Sequence, residues 1–417
     1  MITTERKNNL RTFFKNKDRN FLVIGQFIGA LLSVIVGKLT AVYIIPEKFG
    51  LFNLQFVAYT FFFSLFISPF LQFMKPFSAS KLQNMGHHFV FKILAALVLF
   101  CSIALIVLFH LKFHVSFLLL ALILITLITN TGYNLITDFF NVKGMLSIFT
   151  WSTILKGVFS LAALFIAVKI FLNADNAELV LWIVQIAGFF FGVFFFLKSY
   201  RYIRANTHDQ SFKDFLREYA KYAWPLMILA FWSWMNSYFD RYVIEYYMEL
   251  KEVGIYNANL GLGSKVFLLL NPVFLALLTP IAFNVKITLS EKKKILNKYA
   301  LFYVLIGIAV LAVLYFTNET IGKILLSDLY KEGFYIIFWA AVAYFIITLT
   351  YIYELLLFAE SKTKVILLSN VISAVANVLL VFLLIPRFGL QGAISGLIVA
   401  SILRIVYIKL VFINYGE

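Results

Sequence analysis

Apolar runs long enough to cross a bilayer recur from one end of this sequence to the other, and their number leaves little chain for anything else. A helix needs about 20 apolar residues to cross about 30 Å of hydrocarbon. Runs of that kind fall at about 19–44, 51–74, 88–110, 115–139, 146–171, 178–198, 219–240, 253–283, 298–317, 332–357, 363–385 and 389–412. The runs are continuously apolar, whereas transmembrane strands alternate in short segments, and only helices or closed barrels satisfy backbone groups in lipid. The sequence therefore predicts an all-α integral membrane protein with twelve transmembrane helices. Hydrophobic residues make up 62% of the chain and charged residues 13%, against about half and a quarter in soluble domains. An ordinary soluble enzyme is excluded.

Charge sets the expected orientation. Lys and Arg concentrate in the first residues, in the even-numbered connections and at the C-terminal end, so the positive-inside rule predicts that both termini are cytoplasmic. The clearest inner connections are Lys198 to Lys221, with Arg201, Arg204, Lys213 and Arg217, and Lys286 to Lys298, with Lys292, Lys293 and Lys294. The basic start leads into a long span with no small-residue cleavage pattern and is expected to stay as a cytoplasmic tail. The net charge of +16 is spread over short loops rather than one soluble face, so topology and anionic lipid account for it and nucleic acid is not an expected partner.

The chain repeats itself. Glu47-Lys48-Phe49-Gly50-Leu51-Phe52-Asn53 lies between the first and second spans, and Lys251-Glu252-Val253-Gly254-Ile255-Tyr256-Asn257 lies 204 residues later, between the seventh and eighth. An even number of spans separates the copies, so both halves enter the membrane in the same direction. The expected organisation is two six-helix lobes around a central lumen, 1–210 with the cytoplasmic tail and most of the central loop, and 211–417.

Polar residues recur along single helix faces: Gln26, Gly29, Ser33, Gly37 and Thr40; Asn53, Thr60, Ser64, Ser68 and Gln72; Thr126, Asn130, Asn134 and Asp138. In the second half the stripes are Ser233, Asn236, Ser237 and Asp240; Asn257, Gly261, Ser264 and Asn271; Asn370, Ser373 and Asn377. Any one stripe could equally glue helices together; their number favours a hydrated cavity. Lys38, Lys156, Lys265 and Arg404 fall within spans, where an unpaired cation costs at least ~3 kcal/mol and tends to face a cavity or a partner. Snorkelling competes for Lys38, Lys156 and Arg404, each near an interface. Lys265, near mid-span after Gly261-Leu262-Gly263-Ser264, fits a cavity better. The acids Asp138, Asp240 and Glu354 lie near span ends, where local pairing is the default; Asp240 adjoins Arg241, and Tyr351 stands one turn before Glu354. These are the carboxylates available for ion coupling.

No catalytic or nucleotide motif occurs: no Walker Gly-Lys-Ser/Thr loop, no His-Glu zinc pattern, no nucleophile elbow. The lone Cys101 excludes an internal disulfide. Neither metal nor other cofactor is expected, and no enzymatic activity.

The stretch KLTAVYIIPEKFGLFNLQF within Val36 to Leu71 resembles the first hairpin of the Wzx polysaccharide flippases, in the MOP exporter superfamily that also includes MATE transporters. FWSWMNSYFDRYVIEYYMELKEVGIYNANL at 231–260 and LIPRFGLQGAISG at 384–396 are similar to the same family. The resemblance implies transport of undecaprenyl-pyrophosphate-linked oligosaccharide, such as an O-antigen repeat unit for lipopolysaccharide, across the bacterial cytoplasmic (inner) membrane. A polysaccharide polymerase and a chain-length regulator are the protein partners it implies. In that picture Lys38, Lys156, Lys265, Arg404 and Arg241 attract the pyrophosphate or acidic sugars. Gln26, Asn53, Asn130, Asn134, Asn236, Asn257, Asn271 and Asn377 meet sugar hydroxyls. Export of anions from a negative-inside cell gains about 2.3 kcal/mol per charge per 100 mV. Rival readings are a MATE-like exporter of a small cation, which would need intramembrane acids, a multispan polysaccharide polymerase, which would need a larger extramembrane loop, and a peptidoglycan-precursor flippase.

Overall fold

Helices form wherever the hydropathy is continuous, because a backbone in hydrocarbon has no other donor or acceptor than itself. A computed structural model of the chain describes residues 17–76, 87–171, 176–199 and 211–414. Residues 1–16 of the basic start, and Arg201 and Arg204 of the central connection, lie outside the described residues. In chain order the helices are α1 (Lys17–Tyr43), α2 (Pro46–Phe62, continued through a π-helical turn at Phe63–Ile67 into Ser68–Pro76) and α3 (His87–Leu108, ending in a π-turn at Phe109–Phe113). They continue as α4 (Phe117–Val142), α5 (Leu146–Phe171), α6 (Ala177–Ser199), α7 (Phe212–Tyr247), α8 (Leu250–Leu268) and α9 (Asn271–Ala282). The last four are α10 (Leu289–Leu325), α11 (Phe334–Ala359), α12 (Thr363–Phe388) and α13 (Leu390–Asn414), with a 3-10 turn at Asp328–Gly333 before α11. Every element among the described residues is helical. Nine helical stretches among them are long and apolar enough to cross a membrane.

Two departures from regular helix have a local cause. In α2 the Ser68 N–H reaches back five residues to the Phe63 carbonyl, directly before Pro69, whose ring removes one donor and crowds the preceding turn. The interval 253–283, expected as one span, is two helices, α8 and α9, parted at Leu269–Leu270. Pro272 follows the break and occupies the first turn of α9, the position where a missing N–H costs nothing.

By contact the chain forms two compact units. The first comprises the residues up to Val36 together with Gln55–Ile228, and the second Gly37–Leu54 with Leu229 onward. In the first, α6 packs along α4 and α5. Phe70, Phe73 and Met74 of α2 meet Val90 and Ile93 of α3 and Phe215 and Tyr219 of α7 in an apolar core. In the second, α11 packs against α8, α10 and α13, and α12 against α13. Phe267, Leu278, Tyr303, Ile352, Leu356 and Phe412 are central to its core.

The repeated motif has a structural counterpart inside the second unit. Gly50 and Gly254 sit at equivalent positions near the starts of α2 and α8, and both are buried. A methyl group on Gly50 would stand 1.9 Å from the Leu250 carbonyl oxygen, and one on Gly254 would stand 1.9 Å from the Pro46 carbonyl oxygen. Only a residue without Cβ lets the two helix ends cross at that distance.

Candidate functional site

Charge inside an apolar unit survives only where it is paired or wet, so the polar side chains of each unit mark where chemistry can happen. Two such groupings lie in the second unit on α7 and its neighbours.

The first is a cavity of about 300 Å³. α7 contributes Ser233, Asn236 and Ser237 to its wall, α11 contributes Tyr344, Tyr351 and Glu354, and α12 and α13 contribute Asn370 and Arg404. Helical spacing brings each set to one face: Asn236 and Ser237 lie three and four residues after Ser233, and Tyr351 and Glu354 lie seven and ten residues after Tyr344. Arg404 donates from Nη2 and Nε to Oε1 of Glu354 at 2.8 and 3.1 Å. Only 8% of the arginine side chain and 4% of the glutamate are exposed. The Tyr351 ring lies 5.6 Å from the guanidinium carbon, so Tyr351 attends the arginine as well as standing a turn from the acid. Behind the wall, Asn236 accepts from Ser373 Oγ at 3.2 Å on its side-chain oxygen and from Asn377 Nδ2 at 3.0 Å on its backbone carbonyl.

The second is a chain of polar groups along α7, α8 and the start of α2. Arg241 pairs with Asp240 at 2.7 Å, both side chains nearly buried at 6% and 2% exposed. Asp240 accepts from the Tyr256 hydroxyl at 2.7 Å. Arg241 also donates to the Asn257 side-chain oxygen at 3.2 and 3.1 Å and to the Ser237 carbonyl. Asn257 in turn donates to the side-chain oxygen of Asn53. The expected pairing of Asp240 with Arg241 is present, and the network ties that pair to both copies of the repeat.

Lys38 donates to the carbonyl of Lys323 at 3.5 Å and to that of Leu326. These are the last carbonyls of α10 and its cap, an end where the helix leaves acceptors unsatisfied and carries partial negative charge. Lys265 is half-buried on α8; a methyl on Gly37 would stand 3.8 Å from its ammonium. Asn271 is half-buried at the start of α9.

In the first unit, Asn134 donates to the Asn130 side-chain oxygen at 2.6 Å, and Asn130 donates to the Tyr59 hydroxyl at 2.8 Å. The Lys156 ammonium lies over the rings of Phe189 and Tyr133, 4.4 and 5.1 Å from their centroids. Asp138 pairs with Lys75 at 3.1 Å in a more exposed setting. Gln26 is half-buried on α1. Among the buried polar groups that the sequence does not single out is Gln55, which donates to Glu178 at 2.8 Å and accepts from Trp182 Nε1 at 3.0 Å. Gln55 lies off the polar stripe of its helix, and Trp182 counts as apolar in any hydropathy sum, so the signal was confined to one buried amide.

All three intramembrane acids singled out from the sequence are thus ion-paired, to Lys75, Arg241 and Arg404. The described residues are all-helical, with nine stretches long and apolar enough to cross a membrane and a polar cavity within an apolar unit, which makes this a multi-pass membrane protein. The model of the polysaccharide biosynthesis protein family matches residues 17–286, and the chain belongs to that family. Its fold is similar to that of lipid II flippase MurJ in an inward closed conformation, with a TM-score of 0.69 and 16% identity over 93% of this chain and 86% of that one. It is also similar to an inward-facing multidrug resistance MATE transporter of the MOP superfamily, with a TM-score of 0.66 and 12% identity over 93% of this chain and 96% of that one. A MATE transporter of Vibrio cholerae gives 0.62 and 13% identity over 99% and 98% of the two chains. No curated protein gives a significant match to the sequence. The chain thus shares its overall fold with these solved structures.

Proposed function

We propose that the chain is a flippase that carries an undecaprenyl-pyrophosphate-linked oligosaccharide, of the O-antigen type, from the cytoplasmic to the outer leaflet of the bacterial cytoplasmic membrane. Twelve crossings in two six-helix halves, 1–210 and 211–417, with both termini cytoplasmic and alternating access between the halves, belong to the same proposal. The observation that carries it is the cavity bounded by Arg404, Glu354, Asn236 and Asn370 inside a membrane-embedded unit, in a chain of the polysaccharide biosynthesis family. Amides and hydroxyls there can replace the water that a glycan loses. Desolvating a pyrophosphate costs tens of kcal/mol by Born estimates; in this reading Lys156 and Lys265 lower that barrier, whereas Arg241, like Arg404, is already paired with a carboxylate.

The pairing of the three acids singled out from the sequence weighs against the MATE-like reading, because a cation exporter needs a carboxylate not already neutralised by an arginine or lysine. The proposal places the protein with glycan-assembly partners, a polymerase and a chain-length regulator. The test is reconstitution in vesicles with a short-chain, fluorescent polyprenyl-pyrophosphate glycan added to one leaflet. Protein-dependent accessibility of the glycan to a lectin or glycosidase on the other side supports the reading. Equal rates with and without protein, alongside accumulation of a cationic dye, would replace it with the exporter.

A further inference from the structure

The cavity in the second unit is lined by an ion pair, amides and aromatic rings, and that combination selects for one chemistry. Arg404 spends two of its N–H donors on Glu354, and the two opposite charges are within hydrogen-bond contact. An anion approaching the arginine therefore meets its carboxylate as well, and it gains little unless Glu354 is displaced into an apolar wall. A neutral ligand with several hydroxyls has no such conflict. Each hydroxyl both donates and accepts, which suits a wall that alternates donors and acceptors: guanidinium and carboxylate, the amides of Asn236 and Asn370, and the hydroxyl of Ser233. Tyr344 and Tyr351 supply apolar ring surface beside them, on which the C–H face of a sugar ring can rest. A volume of about 300 Å³ stands at the small end of ligand sites; it suits one or two rings rather than a whole repeat unit.

We propose that this cavity is a sugar subsite: it holds a pyranose ring of the transported glycan, and Arg404 acts there as half of a neutral pair rather than as a pyrophosphate anchor. The inference rests on the flippase reading, since it assigns where part of that substrate binds.

The experiment uses the full-length protein in detergent micelles and saturation-transfer NMR. The probes are methyl glycosides of hexoses, 6-deoxyhexoses, N-acetylhexosamines and uronic acids, with inorganic pyrophosphate as competitor. Expected are saturated ring protons for at least one neutral glycoside, undiminished by excess pyrophosphate. Asn370→Leu and Ser233→Val should each weaken binding about tenfold, the loss of roughly one hydrogen bond. Ser233→Val keeps the test alive if Asn370→Leu does not fold. Failure of every glycoside to saturate, displacement by pyrophosphate, or binding that both folded variants leave intact would overturn the subsite. The same preparation is assayed for flipping in vesicles. Flipping without glycoside binding sinks the subsite alone, whereas absence of flipping sinks the reading on which it rests.

Discussion

Asn257 donates its side-chain amide to the side-chain oxygen of Asn53, a partner 204 residues away that occupies the same place in the other copy of the repeat. The same offset relates Gly50 to Gly254, and Pro46 to Leu250, whose carbonyls close on the opposite glycines. One local sequence, used twice, thus forms a symmetric crossing of two helix starts that neither copy could form alone.

That crossing should not tolerate a side chain. Gly50→Ala and Gly254→Ala each drive a methyl against backbone, and backbone can yield only by moving a helix. Each is expected to cost about 1–3 kcal/mol, as overpacking does. The double variant should cost less than the sum, because the first methyl already parts the helices for the second. Thermal unfolding of the purified protein, followed by tryptophan fluorescence, gives both numbers; strict additivity would mean that the two glycines do not share one crossing.

The Arg404 and Glu354 pair makes a sharper forecast. Removing one partner leaves the other buried and uncompensated, so Arg404→Met or Glu354→Leu alone should destabilise by about 3–5 kcal/mol. The double replacement removes both desolvation penalties and should recover most of that loss. A double-mutant cycle on thermal stability in detergent measures it. Two harmless single variants would show that water in the cavity already screens each charge.

The hydropathy of the chain announced almost every helix because a lipid-facing helix has to be apolar along its whole length. It missed the parting of α8 and α9, for which Pro272 was the available sign; Pro225 and Pro386 lie inside unbroken helices, so proline alone does not locate such a break. Polar stripes were less informative than their regularity suggested. Thr126 and Ser64 each return their hydroxyl to the carbonyl four residues back, which satisfies the group within its own helix and requires no cavity. Ser233, Asn236 and Ser237 do face one, and nothing in residue type separates the two cases. Pair partners such as Glu354 with Arg404, fifty residues apart, depend on how α11 meets α13, which spacing along the chain does not encode.

Lys38 offers a case in which stability and transport separate. Its ammonium serves the carbonyl end of α10, a role worth about 0.3–1 kcal/mol when exposed and up to ~2 when partly buried. Lys38→Met should lower thermal stability by that amount and Lys38→Arg should restore it, with flipping per folded molecule unchanged in both. Loss of flipping at full stability would instead assign Lys38 to the substrate path.

Lys156 should behave in the opposite way. Its ammonium rests on Phe189 and Tyr133, and a desolvated cation–π contact returns about 2 kcal/mol, close to the cost of holding a cation at that depth. The two terms nearly cancel, so Lys156→Met, of similar length and without charge, should leave stability within about 1 kcal/mol of the parent. If the ammonium also meets the pyrophosphate, the same variant loses flipping severalfold, and Lys156→Arg, which keeps the charge and stacks on rings, retains most of it. Vesicle flipping and thermal unfolding measured on one preparation decide the matter: a Met variant that flips at the parental rate removes Lys156 from the route of the anion.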